Sequence, residues 1–166
     1  MLQPLVRRTW APCGQTPILY SWDRHDRLSA ISAITVSPKR HRLGLYFDLS
    51  DHNVRTDDFE GFVRGLLSHL PHGFILVMDR WPVHRSGAER FRRLFPRRVR
   101  IEWLPSYAPD LNPTEQVWNR SKYTDLANFV PDDVASLRRE VHKSMCHMCS
   151  EHSLLRSFFH KAGLQL

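Results

Sequence analysis

The chain has 166 residues, 42% of them hydrophobic and 11% aromatic, which is enough apolar side chain for one folded domain and too much for wholesale disorder. Basic residues outnumber acidic ones by 24 to 17, a formal charge of +7 that favours a polyanionic partner. No apolar run approaches the roughly 18 residues of a membrane span, and the opening MLQPLVRRTW lacks a secretory pattern. Three cysteines (Cys13, Cys146 and Cys149) make no disulfide scaffold, so a soluble cytoplasmic protein is expected.

The segment from Pro4 to Pro17, with three prolines and Gly14, reads as a loop. Leu28–Val36 and Leu43–Leu49 alternate and predict two strands joined by a turn at Pro38–Arg42. Asp57–Leu70 spaces Phe59, Phe62, Val63, Leu66, Leu67 and Leu70 for a helix, closed by Pro71 and Gly73. The continuous run Phe74–Met78 predicts a central strand covered on both faces. A short basic helix is expected from Ser86 to Phe95, a strand over Val99–Leu104, a helix over Pro113–Asn128 and a last helix from Val134 to Ala162. Hairpin strands followed by alternating helix and strand imply one mixed sheet with helices on both faces.

Only Lys39, Lys122, Lys143 and Lys161 are lysines, so the basic side is nearly all arginine, whose planar fork suits phosphate. Eight arginines between Arg80 and Arg100 face a single acid, Glu89, in that stretch. Such a stripe is either a solvated face or a nucleic-acid surface.

Two acids stand at informative places. Asp79 directly follows the buried strand, where open α/β sheets gather their chemistry. Its ordinary reading is a turn-forming Asp; its functional one is a rigidly held ligand for a hard cation. Glu115 lies at the start of a helix. In Asn112-Pro113-Thr114-Glu115 it fits either a capping box with Asn112 as N-cap or a side chain aimed by a rigid proline-rich turn.

The string from Leu104 to Trp118 reads Leu-Pro-Ser-Tyr-Ala-Pro-Asp-Leu-Asn-Pro-Thr-Glu-Gln-Val-Trp and is followed by Lys122. It resembles the third-acid motif of mariner-superfamily DDE transposases, most nearly the insertion-sequence-630 group of bacterial elements. Val77-Met78-Asp79 with His84 and Ser86 is similar to that family's second-acid motif, and the segment Arg8–Pro17 resembles the stretch after its first acid. The resemblance implies an RNase H-like catalytic-core domain over residues 1–166 that cuts and joins transposon DNA ends. Asp79 and Glu115 would be catalytic residues and metal ligands. It implies Mg²⁺ or Mn²⁺, bound once the acid triad is complete, and double-stranded DNA as partner, as transposon ends and as target. It allows a homodimer and a nucleoid-associated location in a bacterial cytoplasm. Arg80, His84, Arg85, Arg92, Arg93, Arg97, Asn119 and Lys122 are the residues assigned to DNA; Glu115, Asn119 and Lys122 share one face of an ideal helix.

Two features depart from the family pattern. Arg80 and Trp81 follow Asp79 where the family usually has Asn. The family's first strand and first Asp precede the Trp10 segment, and the chain opens with Met1-Leu2-Gln3-Pro4, so both are expected to be missing. Asp23, Asp26 and Asp48 are the available substitutes. A metal-dependent transposase core short of one acid and an inactive DNA-binding remnant are both compatible with this sequence. The set His142, Cys146, Cys149 and His152 invites a zinc reading, but four ligands along one straight helix cannot close a tetrahedron, and packing residues are the simpler reading.

Overall fold

Ser29–Val36 (β1) and Leu43–Ser50 (β2) pair antiparallel, Ser29 opposite Ser50 and Val36 opposite Leu43. Arg40 turns the chain between them in the left-handed region, at φ 58°. After Thr56–His69 (α1), Phe74–Met78 (β3) runs parallel to Val99–Trp103 (β4), with Pro82–Leu94 (α2) as the crossover. Thr114–Arg120 (α3), Val134–Ser150 (α4) and His152–Lys161 (α5) complete the order. This computed structural model describes residues 6–18, 20, 27–106 and 108–166. The class is mixed α/β, as the sequence predicts, but among the described residues the strands form two pairs rather than one continuous sheet.

Each pair has its own core. Leu43 and Leu45 of β2 meet Val117 of α3, Met145 and Met148 of α4, and Leu155, Phe158 and Phe159 of α5. On the opposite side of β2, Tyr46 packs edge-on against His69 at the end of α1, ring centroids 5.5 Å apart. The second core joins Phe59, Val63 and Leu67 of α1 to Met78, Ala88, Phe91, Val99 and Ile101. Those residues cover a single face of the β3–β4 pair. The expectation that β3 is covered on both faces is therefore corrected: Ile75 and Val77 are 60% and 56% exposed, because no described element packs over them.

Element ends follow local chemistry. Gly73 enters β3 at φ +82°, with its Cα against the Arg98 backbone, so no side chain fits there. The basic helix starts at Pro82 rather than Ser86, since proline at the first helical position is preset for the helix. The predicted helix 113–128 is shorter: α3 passes into a π-helical turn, Ser121–Asp125, and the chain leaves helix before Asn128, whose φ is 60°. The last predicted helix is two, broken at Glu151, whose φ of −99° and ψ of 79° are not helical.

In the second core Gly87 of α2 lies close against Phe59 of α1; a Cβ at Gly87 would overlap the Phe59 ring. Gly87→Ala is expected to destabilise the fold by about 1–3 kcal/mol through overpacking. Calorimetry would show this as a Tm lowered by several degrees, and an unchanged Tm would contradict the packing described.

Candidate active site

β3 holds the backbone of Asp79 in place up to its last residue, where the Leu104 N–H donates to the Met78 carbonyl at 2.9 Å. Asp79 Oδ1 accepts the Trp81 N–H at 3.0 Å and His84 Nδ1 at 2.7 Å. Asp79 is thus a turn-forming Asp, yet that work occupies one oxygen; Oδ2 has no hydrogen-bond partner among the described residues. His84 is itself held between rings: its centroid lies 4.8 Å from that of Phe59 and 5.2 Å from that of Trp81. The motif spacing singled out His84, whereas the Phe59 and Trp81 packing that fixes it carried no sequence signal.

At Glu115 the capping question is settled by the backbone. Asn112, one residue before the N-cap Pro113, accepts the Thr114 N–H on its Oδ1 at 3.1 Å. The reciprocal half of a capping box is absent: the Asn112 N–H donates to the Pro109 carbonyl at 2.9 Å instead. The Glu115 carboxylate therefore has no capping role and no hydrogen-bond partner among the described residues. The 3₁₀ turn Pro109–Leu111 and Pro113 bring it to the wall of the groove that Asp79 also lines.

That groove, about 1410 Å³, lies between the two strand pairs. Its long walls are β1 and β3. Phe59, Val63 and Leu66 of α1 contribute to the lining, as do Trp118 of α3 and Phe159 of α5. Asp79 and Glu115 are its carboxylates, joined by His84.

Among the arginines, three of the eight in the stripe serve the protein itself. Arg90 bonds Asp57 at 2.6 Å and Glu60 at 3.2 Å, Arg98 donates to the Leu67 carbonyl at 2.8 Å, and Arg100 pairs with Glu102 at 2.8 Å. Arg80, Arg85, Arg92, Arg93 and Arg97 are exposed and make no side-chain hydrogen bond or ion pair with a described residue. These five are all among the residues assigned to DNA. Asn119 and Lys122 are exposed too, but the π-helical turn begins between them and alters the angular step. Lys122 therefore departs from the ideal-helix alignment with Glu115.

Of the proposed substitutes for a third acid, Asp23 and Asp26 lie outside the described residues. Asp48 is exposed and lines a second cavity of about 240 Å³ with Asp51, His52, Asp58 and Arg138; it does not line the groove, although Ile31 and Val54 line both. No group of three His, Cys, Asp or Glu that could hold a metal forms among the described residues. The His142–Cys146 pair stays on α4 with 3.5 Å between Nδ1 and Sγ, and Cys149 donates to the Leu45 carbonyl at 3.2 Å, where burial pushes its thiol upward. Cys149 packs against the core below β2, whereas His142, Cys146 and His152 are exposed. No helix among the described residues is long and apolar enough to cross a membrane.

Residues 1–138 match the family model described as DDE superfamily endonuclease. The chain belongs to that family. As a DDE superfamily endonuclease it also superposes on two solved structures, each over 96% of its length. The Mos1 mariner paired end complex with Mn gives a TM-score of 0.63 at 17% identity, and the Mos1 strand transfer complex gives 0.61 at 16%. The match covers 48% and 47% of those chains, so this endonuclease chain spans about half their length. The fold is accordingly similar to the RNase H-like catalytic domain of mariner transposase. No match was found among curated proteins.

The cavity around Asp48 carries the clearest titration. His52 is held above its ordinary pKa by hydrogen bonds first to Asp58 and then to Asp51. Asp58 is held low by the Arg55 backbone N–H and by His52. Because the folded pKa of His52 is raised, its contribution to stability is full below the ordinary histidine value and is lost as pH rises through the raised one. A proton NMR titration is expected to place the His52 transition above the ordinary histidine value, and Asp58→Asn to lower it. A His52 transition unmoved by Asp58→Asn would contradict the pairing.

Proposed function

We propose that this chain is the catalytic region of a mariner-type DNA transposase of the insertion-sequence-630 kind, a single domain over residues 1–166. Asp79 and Glu115 are its catalytic metal ligands. The observation that carries this reading is the pair of carboxylate groups on one groove: Glu115 without a partner and Asp79 with Oδ2 free. Asp79 follows the carboxyl end of β3 and Glu115 lies in the first turn of α3, and hard oxygen donors suit Mg²⁺ or Mn²⁺. A divalent cation held there would neutralise the carboxylates and polarise a phosphodiester oxygen.

The chain's own residues would divide the remaining work. His84, donating from Nδ1, fixes the Asp79 carboxylate so that Oδ2 faces outward. Arg80, Arg85, Arg92, Arg93 and Arg97 keep their guanidinium groups available for DNA phosphates, and Asn119 and Lys122 extend that surface beyond Glu115. The likeness to a paired end complex with Mn and to a strand transfer complex supports double-stranded transposon DNA as the partner and a divalent metal as the cofactor. A homodimer, target DNA and nucleoid association belong to the same reading.

A second reading is favoured by one observation: the described groove offers two carboxylates, and Asp48 lies elsewhere. Under it the chain binds DNA without cutting it. Incubating the chain with a nicked and an intact duplex in Mn²⁺ separates the two, since strand cleavage requires the first reading.

For the metal site, isothermal titration with Mn²⁺ is expected to show affinity falling about tenfold or more in Asp79→Asn and in Glu115→Gln. DNA affinity in the same variants stays within about twofold, because phosphate contacts supply most of it. Unchanged Mn²⁺ binding in both variants would remove these residues from the site. For DNA, replacing Arg92, Arg93 and Arg97 together by Ala is expected to lower the slope of log K against log salt by about 3. An unchanged slope would show that the arginine surface does not meet phosphate.

A further inference from the structure

The two proposed metal ligands stand on different cores. Asp79 follows Met78, which belongs to the core of α1, α2, β3 and β4, whereas Glu115 shares α3 with Val117, which packs with β2, α4 and α5. Their spacing therefore depends on how the two cores are docked. α1 meets the β1–β2 pair at both of its ends. At its close His69 packs edge-on against Tyr46. At its start Asp58 accepts a hydrogen bond from Nε2 of His52, which lies in the loop after β2, 3.2 Å from each carboxylate oxygen.

The other ring nitrogen of His52 looks back at the strand pair. Nδ1 lies 2.7 Å from Ser50 Oγ, on the last residue of β2, and 3.3 Å from Asp51 Oδ1. Asp58 Oδ2 also accepts the Arg55 N–H at 2.7 Å, so the carboxylate that receives His52 is the one that fixes the first turn of α1. The next residue, Phe59, carries the ring that lies 4.8 Å from His84, and His84 holds Asp79 Oδ1 at 2.7 Å. The charged groups around His52 are Asp48 and Asp51 from the end of β2, Arg55 and Asp58 from the start of α1, and Arg138 from α4. β1 faces the same cavity with the uncharged Ser29 and Ile31.

We propose that His52 is a positioning residue for the metal site: as a cation it clamps the start of α1 to the end of β2, and through Phe59 and His84 it sets Asp79 relative to Glu115. Losing its proton slackens the clamp. A neutral ring that keeps Nε2–H on Asp58 turns a bare Nδ1 lone pair toward Asp51, exchanging an attraction for a repulsion. The hydrogen bonds to Asp58 first and Asp51 second hold His52 above its ordinary pKa. The clamp is therefore complete below the ordinary histidine value and is lost as pH rises through the raised one. The effect on metal rests on the reading of Asp79 and Glu115 given above; the clamp itself does not.

The test follows the isotope-labelled full chain by NMR, first without metal. Amide signals of Asp79–Trp81 are expected to step at the pH where the His52 ring titrates, and the step to vanish in His52→Gln. His84 can change charge beside the same amides, so the step is assigned from that comparison. His52→Arg supplies a fixed cation and is expected to hold these signals on the low-pH side of the step. Mg²⁺ is then added. Below the His52 transition its affinity is expected to be about fivefold higher in the natural chain than in His52→Gln, and the same above it. By the same linkage, Mg²⁺ moves the His52 transition upward.

Three results would overturn the proposal. One is the absence of any step at Asp79–Trp81 when His52 titrates. Another is an affinity lowered equally at every pH in His52→Gln, which is what a merely structural histidine gives. The third is a His52 transition that Mg²⁺ moves downward, which would place the cation in the His52 cluster itself. A metal-free step accompanied by Mg²⁺ binding unchanged in Asp79→Asn and Glu115→Gln keeps the clamp and refutes the metal-site reading.

Discussion

The contact between Phe59 and Gly87 is the constraint on which the rest of the site depends. With no Cβ on Gly87, α2 can lie against α1 closely enough for the Phe59 ring to seal the core with Phe91, Val63 and Met78. The same ring lies 4.8 Å from His84, and His84 holds Asp79 at 2.7 Å. A packing decision between two helices is thereby transmitted to one carboxylate oxygen. Asp79 is exposed to solvent, and its orientation is set by the partly exposed His84, which rests on the buried Phe59 ring, the kind of outer support the proposed metal ligand would need. Glu115 reaches the same groove by a different device, a rigid turn whose backbone satisfies itself through Pro109 and so leaves the carboxylate unspent.

Charge is sorted along the same lines. α1 carries Asp57 and Glu60, which draw Arg90 inward, with Arg64 completing the cluster at 2.6 Å from Glu60. That cluster holds Glu60 below its ordinary pKa, through Arg64 first and then Arg90. Exposed pairs of this kind contribute little to stability, but they fix which arginines are used at home. Of the five left over, Arg80, Arg85, Arg92 and Arg93 stand on or beside α2, and Arg97, at the approach to β4, lines the groove that holds the acids. Exposed arginines near a pair of hard oxygen donors suit the proposed phosphodiester chemistry, and the remnant reading and the enzyme reading would draw on the same arginines.

Much of the fold was legible because periodicity and punctuation agree. Phe74–Met78 is a strand residue for residue, and α1 differs from its expected span by one residue at each end. The break at Glu151 was hidden for a physical reason. Met145, Met148, Leu155, Phe158 and Phe159 keep helical spacing straight across it, so the apolar pattern reports one helix where the chain makes two. The π-helical turn after Arg120 is equally silent in sequence, and it displaces Lys122 from its ideal face. The open face of β3 could not be read from FILVM, since a run of apolar residues states what could be buried and not what covers it. At the site, Asp79, His84 and Glu115 were visible as a motif, whereas the failed capping box at Asn112 and the separate position of Asp48 exist only in three dimensions.

The central claim is that Asp79 and Glu115 form one metal site, and paramagnetic broadening tests it most directly. Substoichiometric Mn²⁺ added to the isotope-labelled chain should first broaden amide signals at Asp79–Trp81 and Thr114–Gln116 together. Signals around Asp48, Asp51 and Asp58 should stay sharp. Broadening that begins in the His52 cluster, or that reaches one of the two segments without the other, would contradict the account.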